Sequence, residues 1–234
     1  LEMALRGLDR VAAANGITTA WITQGWSWEG GPRGPDRAEA VLAAIDHYRP
    51  LAQTDLRAQI RCETHATAST ERLLAAITRH EVGYVIFANR LRDLLATAER
   101  APERLALEAA ALGLSPARLR AAMEAADAQA PAVPRFLCRL AESFDARGLR
   151  YGSHADPDGE TRETFSMIGA RICEAPRRRS AAALARAVGD PVVAGAADVL
   201  RCAPLPEVVS TRDLLRAGLC TALVSAGHAA APAA

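Results

Sequence analysis

The sequence predicts an α/β fold built on parallel strands. In four places a helical stretch ends in glycine and a short apolar strand follows at once, as in "DARGLRYGSH" around Gly148. Glycine after a helix takes the left-handed conformation that ends it. Strands and amphipathic helices alternate along the chain, and this alternation is typical of parallel strands joined by right-handed crossovers. The 234 residues suit one such domain.

Seven strands are predicted along the chain. An N-terminal helix comes first, and four strands then follow the helix-ending glycines, which are Gly16, Gly148, Gly189 and Gly218. Two further strands are predicted at 57–63 ("RAQIRCE") and 82–88 ("VGYVIFA"), and a weaker one at 170–174 ("ARICE"). Apolar runs of this length between turn signals are typical of buried strands.

One segment interrupts the alternation with helices alone, from about 89 to 150. Ser115 is a good N-cap, and Pro116 after it fits the first helical position. We therefore expect a helical insertion, made of an αα-hairpin and the crossover helix "PRFLCRLAESFDARG".

Composition excludes several functional classes. The formal net charge of +1 gives no overall field that would attract nucleic acid or an anionic membrane. No apolar run reaches the ~18 residues of a membrane helix. All 28 basic residues are arginine, so a Schiff-base lysine or a carbamylated lysine between two metals is excluded. The five scattered cysteines indicate a reducing, cytoplasmic location.

Polar side chains stand at the ends of the predicted strands, where parallel α/β folds bind their ligands. Glu63 and His154 each end an apolar strand, and Glu174 ends the weak one. A carboxylate and an imidazole that converge there can bind a divalent metal that activates water. The alternative is an ordinary polar strand end. The arginine run 177–179 predicts a solvated helix start, with phosphate binding as its alternative.

Five strand-end segments occur in an order and spacing that resemble one family. They are "GITTAWI", "IRCETH", "GSHAD", "ICEAP" and "VVAGAADVLR". The family is the phosphonate-metabolism diphosphatase of the carbon–phosphorus lyase pathway, a branch of the amidohydrolase superfamily. The resemblance implies a distorted TIM barrel with a small β-sandwich. It also implies hydrolysis of ribose 1-methylphosphonate 5-triphosphate to release pyrophosphate, with zinc or a similar divalent metal at the barrel mouth.

The resemblance assigns roles to particular residues. Glu63 matches the metal-bridging carboxylate and His154 a metal-binding histidine, with Asp156 in the turn that follows. Arg90 stands where the family has a metal-binding histidine, and Ala226 stands where it has the catalytic aspartate. The family's first strand and its sandwich segments have no counterpart in the sequence. His65 and His228 are the candidates for substitute ligands.

Two functions remain open, with a scaffold that has no site as a weaker third. The first is a metal-dependent hydrolase of a ribose-phosphonate triphosphate, with Glu63 and His154 as metal ligands. The second is a relative without catalysis or metal that binds a phosphorylated or anionic ligand, or a partner protein. Its ligand-binding residues would be Asp156, Arg90 and Arg201.

The predicted architecture is a single incomplete (β/α) barrel domain over 1–234, of the amidohydrolase type, without the first strand and the small sandwich. A missing strand leaves hydrogen-bonding edges on the sheet. We therefore expect the N-terminal helix, a rearranged strand or a homo-oligomer to cover them. The expected small-molecule partner is phosphorylated, and no nucleic acid or membrane is expected.

Overall fold

The structure is a computed structural model that describes residues 1–200 and 208–225, without the side chain of Leu200. Its strands follow one another in the sheet in the order of the chain. They are β1 (Thr19–Trp26), β2 (Asp55–Glu63), β3 (Tyr84–Ala88), β4 (Arg150–His154), β5 (Ile172–Glu174), β6 (Val192–Gly195) and β7 (Ala222–Val224). The seven predicted strands are thereby confirmed.

Helices fill most of the chain between the strands. They are α1 (Glu2–Ala14), α2 (Pro35–Tyr48), α3 (Thr70–Arg79), α4 (Arg90–Arg100), α5 (Pro102–Ala111), α6 (Pro116–Asp127), α7 (Val133–Asp145), α8 (Gly159–Met167), α9 (Arg179–Ala187), α10 (Ala197–Leu200) and α11 (Thr211–Arg216). Short 3-10 turns lie at Gly31–Arg33, Arg49–Leu51, Thr67–Ser69 and Ala130–Ala132. Among the described residues, no helix is long and apolar enough to cross a membrane.

The neighbouring strands run parallel in four pairs, β2–β3, β4–β5, β5–β6 and β6–β7. The α/β class is therefore confirmed, and the strand order is compatible with a TIM-barrel-like or a Rossmann-like arrangement. The amidohydrolase type stays a prediction. The helix-ending glycines are confirmed as well, with φ values of 72°, 62°, 85° and 66° at Gly16, Gly148, Gly189 and Gly218.

The chain forms two compact units. The first contains Trp21–Pro50 and Arg57–Leu149 together with Leu1. The second contains Glu2–Ala20, Leu51–Leu56 and the described residues from Arg150 onwards. The single barrel domain over 1–234 stays a prediction.

In the first unit, the predicted insertion is confirmed as an all-helical segment between β3 and β4, but it has more helices than expected. Arg100 ends α4 and Pro102 begins α5, with Ala101 as the single capping residue between them. Proline has no N–H and disfavours a helical conformation in the residue before it, so one long helix divides into two. Three helices therefore precede the crossover helix α7. The predicted αα-hairpin is wrong, because it would have only two helices there.

Helices α4, α5 and α6 share an apolar cluster of their own, here called the insertion core. Its buried members are Leu91, Leu94, Leu105, Ala109, Leu112, Leu119, Met123 and Ala126. Trp28, from the loop after β1, packs against it. Each helix thus buries one apolar face against the other two, which is how an amphipathic helix gains most of its stability.

The second unit brings β4 and β5 very close together. A Cβ atom on Gly152 would lie 2.2 Å from the carbonyl oxygen of Ile172, so only glycine fits there. A buried cluster holds β5, β6 and their helices together and contains Cys173, Ala182, Ala185, Val192, Ala194 and Leu214. In the register of β4 on β5, Gly152 is the partner of Ile172 and His154 the partner of Glu174, so the residues that end these strands lie side by side.

Candidate functional site

Glu63 is buried at the carboxyl end of β2, in the first unit. Its Oε2 accepts a hydrogen bond of 2.8 Å from the backbone N–H of Arg90. Arg90 is the first residue of α4, so its N–H has no acceptor within the helix. A carboxylate is a favourable acceptor there because the helix N-terminus carries partial positive charge.

Burial raises the pKa of Glu63 to about 7, and the charge of Glu29 adds to this effect. The hydrogen bond from Arg90 and the charges of Arg90 and Arg61 oppose it. Removal from water disfavours the ionised carboxylate, which explains the direction of the shift. Near neutral pH the carboxyl group is therefore protonated in a large share of the molecules.

The Arg90 side chain binds two carboxylates of the first unit. Its Nε donates to Glu29 Oε1 at 2.9 Å, and its Nη2 donates to Glu108 Oε2. The Glu29 side chain is wholly buried, and its Oε2 also lies 3.3 Å from Arg33 Nη1. An anionic ligand would have to compete with both carboxylates for the guanidinium. The ligand-binding role of Arg90 stays a prediction.

His154 and Glu174 form a hydrogen-bonded pair in the second unit. They are register partners on β4 and β5 and end their strands side by side. His154 Nδ1 lies 2.8 Å from Glu174 Oε1. An ionised carboxylate can only accept, so Nδ1 is the donor, and in the neutral imidazole Nε2 has the lone pair. The side chains are 22% and 14% exposed, so the pair is accessible to solvent.

The residues that follow this pair adopt an uncommon backbone conformation. Ala155 has a φ of 59° and Ala175 a φ of 50°, which is the left-handed region. The two N–H groups continue the sheet, to Glu174 O at 2.9 Å and to Val193 O at 2.7 Å. Such residues carry about 1 kcal/mol or more of strain and cluster at functional sites. Two adjacent strands thus turn sharply just after the imidazole and its carboxylate.

Asp156 belongs to a buried network around Arg162. Its Oδ2 accepts a hydrogen bond of 2.5 Å from Ser153 Oγ and lies 3.5 Å from Arg162 Nη1. Burial raises the pKa of Asp156, although Ser153 and Arg162 oppose this shift. Its Oδ1 is buried without a hydrogen-bond partner among the described residues. The ligand-binding role of Asp156 stays a prediction, and one of its two oxygens is already used within the protein.

Arg162 is completely buried in the second unit. Its guanidinium donates to Ser153 Oγ at 2.6 Å, to Ile172 O at 3.1 Å and to the carbonyl of Ala170. It also lies 3.4 Å from Asp190 Oδ2. These contacts tie α8 to the loop before β5, so Arg162 positions the strand that presents Glu174.

The described residues do not form the ligand set of a binuclear metal centre. Within 1–200 and 208–225, no group of three or more His, Cys, Asp or Glu side chains is placed to hold a metal ion. The charge of Arg90 acts on Glu63 and would repel a cation there. His154 has the geometry of a single ligand, because a carboxylate on Nδ1 orients Nε2 as in metal-binding histidines. His80 has a similar contact with Asp46 at 2.6 Å, but it lies at the end of α3 and not at a strand end.

The remaining predicted residues lie elsewhere. His65, in the first unit, is bonded through Nδ1 to Thr64 Oγ1 at 3.0 Å, and burial lowers its pKa. Arg201, Ala226 and His228 lie outside the described residues.

Sequence reasoning missed Glu29, Arg162 and the pairing of His154 with Glu174. Glu29 lies in a loop without periodicity, and Arg162 lies in "GETRET", which the sequence predicts as part of a polar loop and which the structure shows as helix α8. The pairing of His154 with Glu174 could have been predicted, because both residues end strands that follow each other in the chain.

Comparisons with protein-family models, curated proteins and solved structures gave no match for this chain. The resemblance to the phosphonate-pathway diphosphatases is therefore supported by the strand-end segments alone.

Proposed function

We propose that the chain is a hydrolase of small phosphorylated molecules in which His154, oriented by Glu174, transfers the proton. The observation that carries this proposal is the 2.8 Å contact between His154 Nδ1 and Glu174 Oε1. The resemblance to the diphosphatases supports the substrate class, a ribose-phosphonate triphosphate or a similar triphosphate, with pyrophosphate as the leaving group.

The pair can activate water without a metal. His154 Nε2 takes a proton from a water molecule, and the resulting hydroxide attacks a phosphorus atom while the bond to pyrophosphate breaks. The Glu174 carboxylate stabilises the imidazolium that forms and keeps the ring in one orientation.

Two arginines in the segment that follows β5 suit the phosphate groups. Arg178 and Arg179 follow β5 within a few residues and stand at the start of α9. Both are exposed, and their side chains make no hydrogen bond or ion pair with the described residues. Guanidinium groups bind phosphate oxygens in pairs, so these two would hold the substrate's charge while His154 acts.

The experiment is pyrophosphate release from a triphosphate, measured on the whole chain. We expect His154→Asn to lower the rate by about 100-fold or more, which is the usual contribution of a general base. We expect about a tenfold loss in Glu174→Gln, which keeps the imidazole but loses its charged partner. The matched control is His47→Asn, because His47 is exposed on α2.

Equal rates in His154→Asn and His47→Asn would contradict the proposal. An absence of pyrophosphate release, combined with thermal stabilisation by phosphate or sulfate, would instead support the relative that only binds an anion.

A further inference from the structure

A pocket in the first unit lies between α3 and α7 and shares no residue with the His154–Glu174 pair. Its volume is about 310 Å³, and it is lined by Thr67, Thr70, Ala132, Arg135, Phe136 and Arg139. This volume is near the lower end of small-molecule sites, which span about 300–1,000 Å³. A ligand that fills it would therefore be small.

The wall formed by α7 carries an excess of positive charge. Arg135 and Arg139 lie four residues apart, so their guanidinium groups share one face of the helix. Arg139 pairs with Glu71, and both side chains are exposed. The Arg135 side chain makes no hydrogen bond or ion pair with any described residue. One guanidinium is therefore uncompensated, and the other has an exposed partner that contributes only about 0–1 kcal/mol.

The rest of the lining is apolar or weakly bonded. The Phe136 side chain is buried and lines the pocket together with Ala132. Thr67 Oγ1 lies 3.4 Å from Gln129 Oε1, which is long for a hydroxyl hydrogen bond, so this hydroxyl can turn to a ligand. Thr70 Oγ1 donates to Thr67 O at 2.9 Å and keeps its lone pairs.

We propose that this pocket is a binding site for a small organic anion. The charged group, a phosphate or a carboxylate, lies between Arg135 and Arg139, and the apolar body rests against Phe136 and Ala132. Guanidinium groups one helical turn apart can grip an anion from two sides, and an aromatic side chain favours a flat ligand body.

The test is isothermal titration calorimetry with phenyl phosphate at low salt. We expect one phenyl phosphate per chain at this pocket, and inorganic phosphate to bind about tenfold more weakly because it has no apolar body. Arg135→Gln should lower the affinity for phenyl phosphate by about tenfold, since a charged hydrogen bond is lost. Arg120→Gln is the matched control, as Arg120 is also exposed in the same unit.

His154→Asn separates this site from the proposed hydrolase. The affinity for phenyl phosphate should stay unchanged in that variant, whatever happens to pyrophosphate release. The proposal is overturned by an absence of binding heat in the wild-type protein or by equal affinities in Arg135→Gln and Arg120→Gln. Loss of binding in His154→Asn with full binding in Arg135→Gln would also overturn it.

Discussion

Each of the two units places an arginine between two carboxylates, but the two arginines differ in burial. In the first unit, the Arg90 side chain is 27% exposed and binds Glu29 and Glu108. In the second unit, the Arg162 side chain is 0% exposed and binds Asp156 and Asp190. A charge that still meets water keeps part of its hydration, whereas a fully buried one depends on its partners.

This difference distinguishes residues that stabilise the fold from residues that are available for the proposed reaction. Arg90 lies next to Glu63, where the resemblance implies metal ligands. Its positive charge compensates the negative charge of the carboxylates around it. Arg162 takes up the inner carboxylates of the second unit and leaves His154 and Glu174 paired at the accessible ends of their strands. Changes at the two arginines should therefore act mainly on stability, and changes at the His154–Glu174 pair mainly on activity.

The largest expected effect is at Arg162. Arg162→Met should lower the free energy of unfolding by about 3–5 kcal/mol, because it leaves buried carboxylates without their cation. Urea denaturation measures this loss. The control is Arg171→Met, since Arg171 is 65% exposed and lies 3.7 Å from the same Asp190. Similar losses in the two variants would show that burial does not distinguish the two arginines.

The second effect is the pH dependence that Glu63 brings to the first unit. Its pKa is raised from 4.5 to about 7, so between these values the folded chain holds a proton that the unfolded chain has lost. The free energy of unfolding should therefore fall as pH rises through this window. A shift of this size corresponds to a fall of roughly 3 kcal/mol.

Glu63→Gln tests this dependence because the amide is neutral at every pH and still accepts the N–H of Arg90. Urea denaturation at pH 5 and pH 8 should show a smaller difference in this variant than in the wild-type protein. Glu99→Gln, at an exposed position on α4, should follow the wild type. An unchanged difference in Glu63→Gln would mean that another group causes the pH dependence.

A smaller loss is expected at Arg90. Arg90→Met should lower the free energy of unfolding by about 1–3 kcal/mol, because Glu29 stays buried without its strongest donor while Glu108 can turn to water. Adding Glu29→Gln should recover part of the loss. Denaturation of the two single variants and the double variant measures this coupling. Strictly additive losses would show that the contact between Arg90 and Glu29 carries little energy.

The smallest stability effect is expected at Glu174. Glu174→Gln should change the free energy of unfolding by about 0–1 kcal/mol, because the pair with His154 is partly exposed. Pyrophosphate release should nevertheless fall in the same variant. A large loss of stability there would place Glu174 among the supporting groups and remove the contrast with Arg162.

Local signals in the sequence predicted most of the fold. Glycines after helices and short apolar runs depend on neighbouring residues alone, so all seven strands could be predicted. The split at Pro102 was equally local and was overlooked. The partners of Arg90 could not be predicted, because Glu29 is 61 residues away and Glu108 is 18 residues away. Such contacts depend on packing that no short pattern records.

The contacts within the candidate sites could not be predicted from the sequence either. Glu63 and His154 could be placed at strand ends from the sequence, but their surroundings could not. The burial that raises the pKa of Glu63 depends on the packing of the whole unit, and the orientation of His154 depends on the register of β4 on β5. Arg162 lies in a stretch that the sequence predicts as a polar loop, and it becomes buried only because its acceptors lie in other elements.

The insertion core has a consequence for the order of folding. All of its buried members lie between Leu91 and Ala126, so its contacts join residues that are near in sequence. Contacts of this kind form faster than the pairing of distant strands, because little chain has to be ordered to close each loop. We therefore expect the contacts between consecutive helices, α4 with α5 and α5 with α6, to form early in folding.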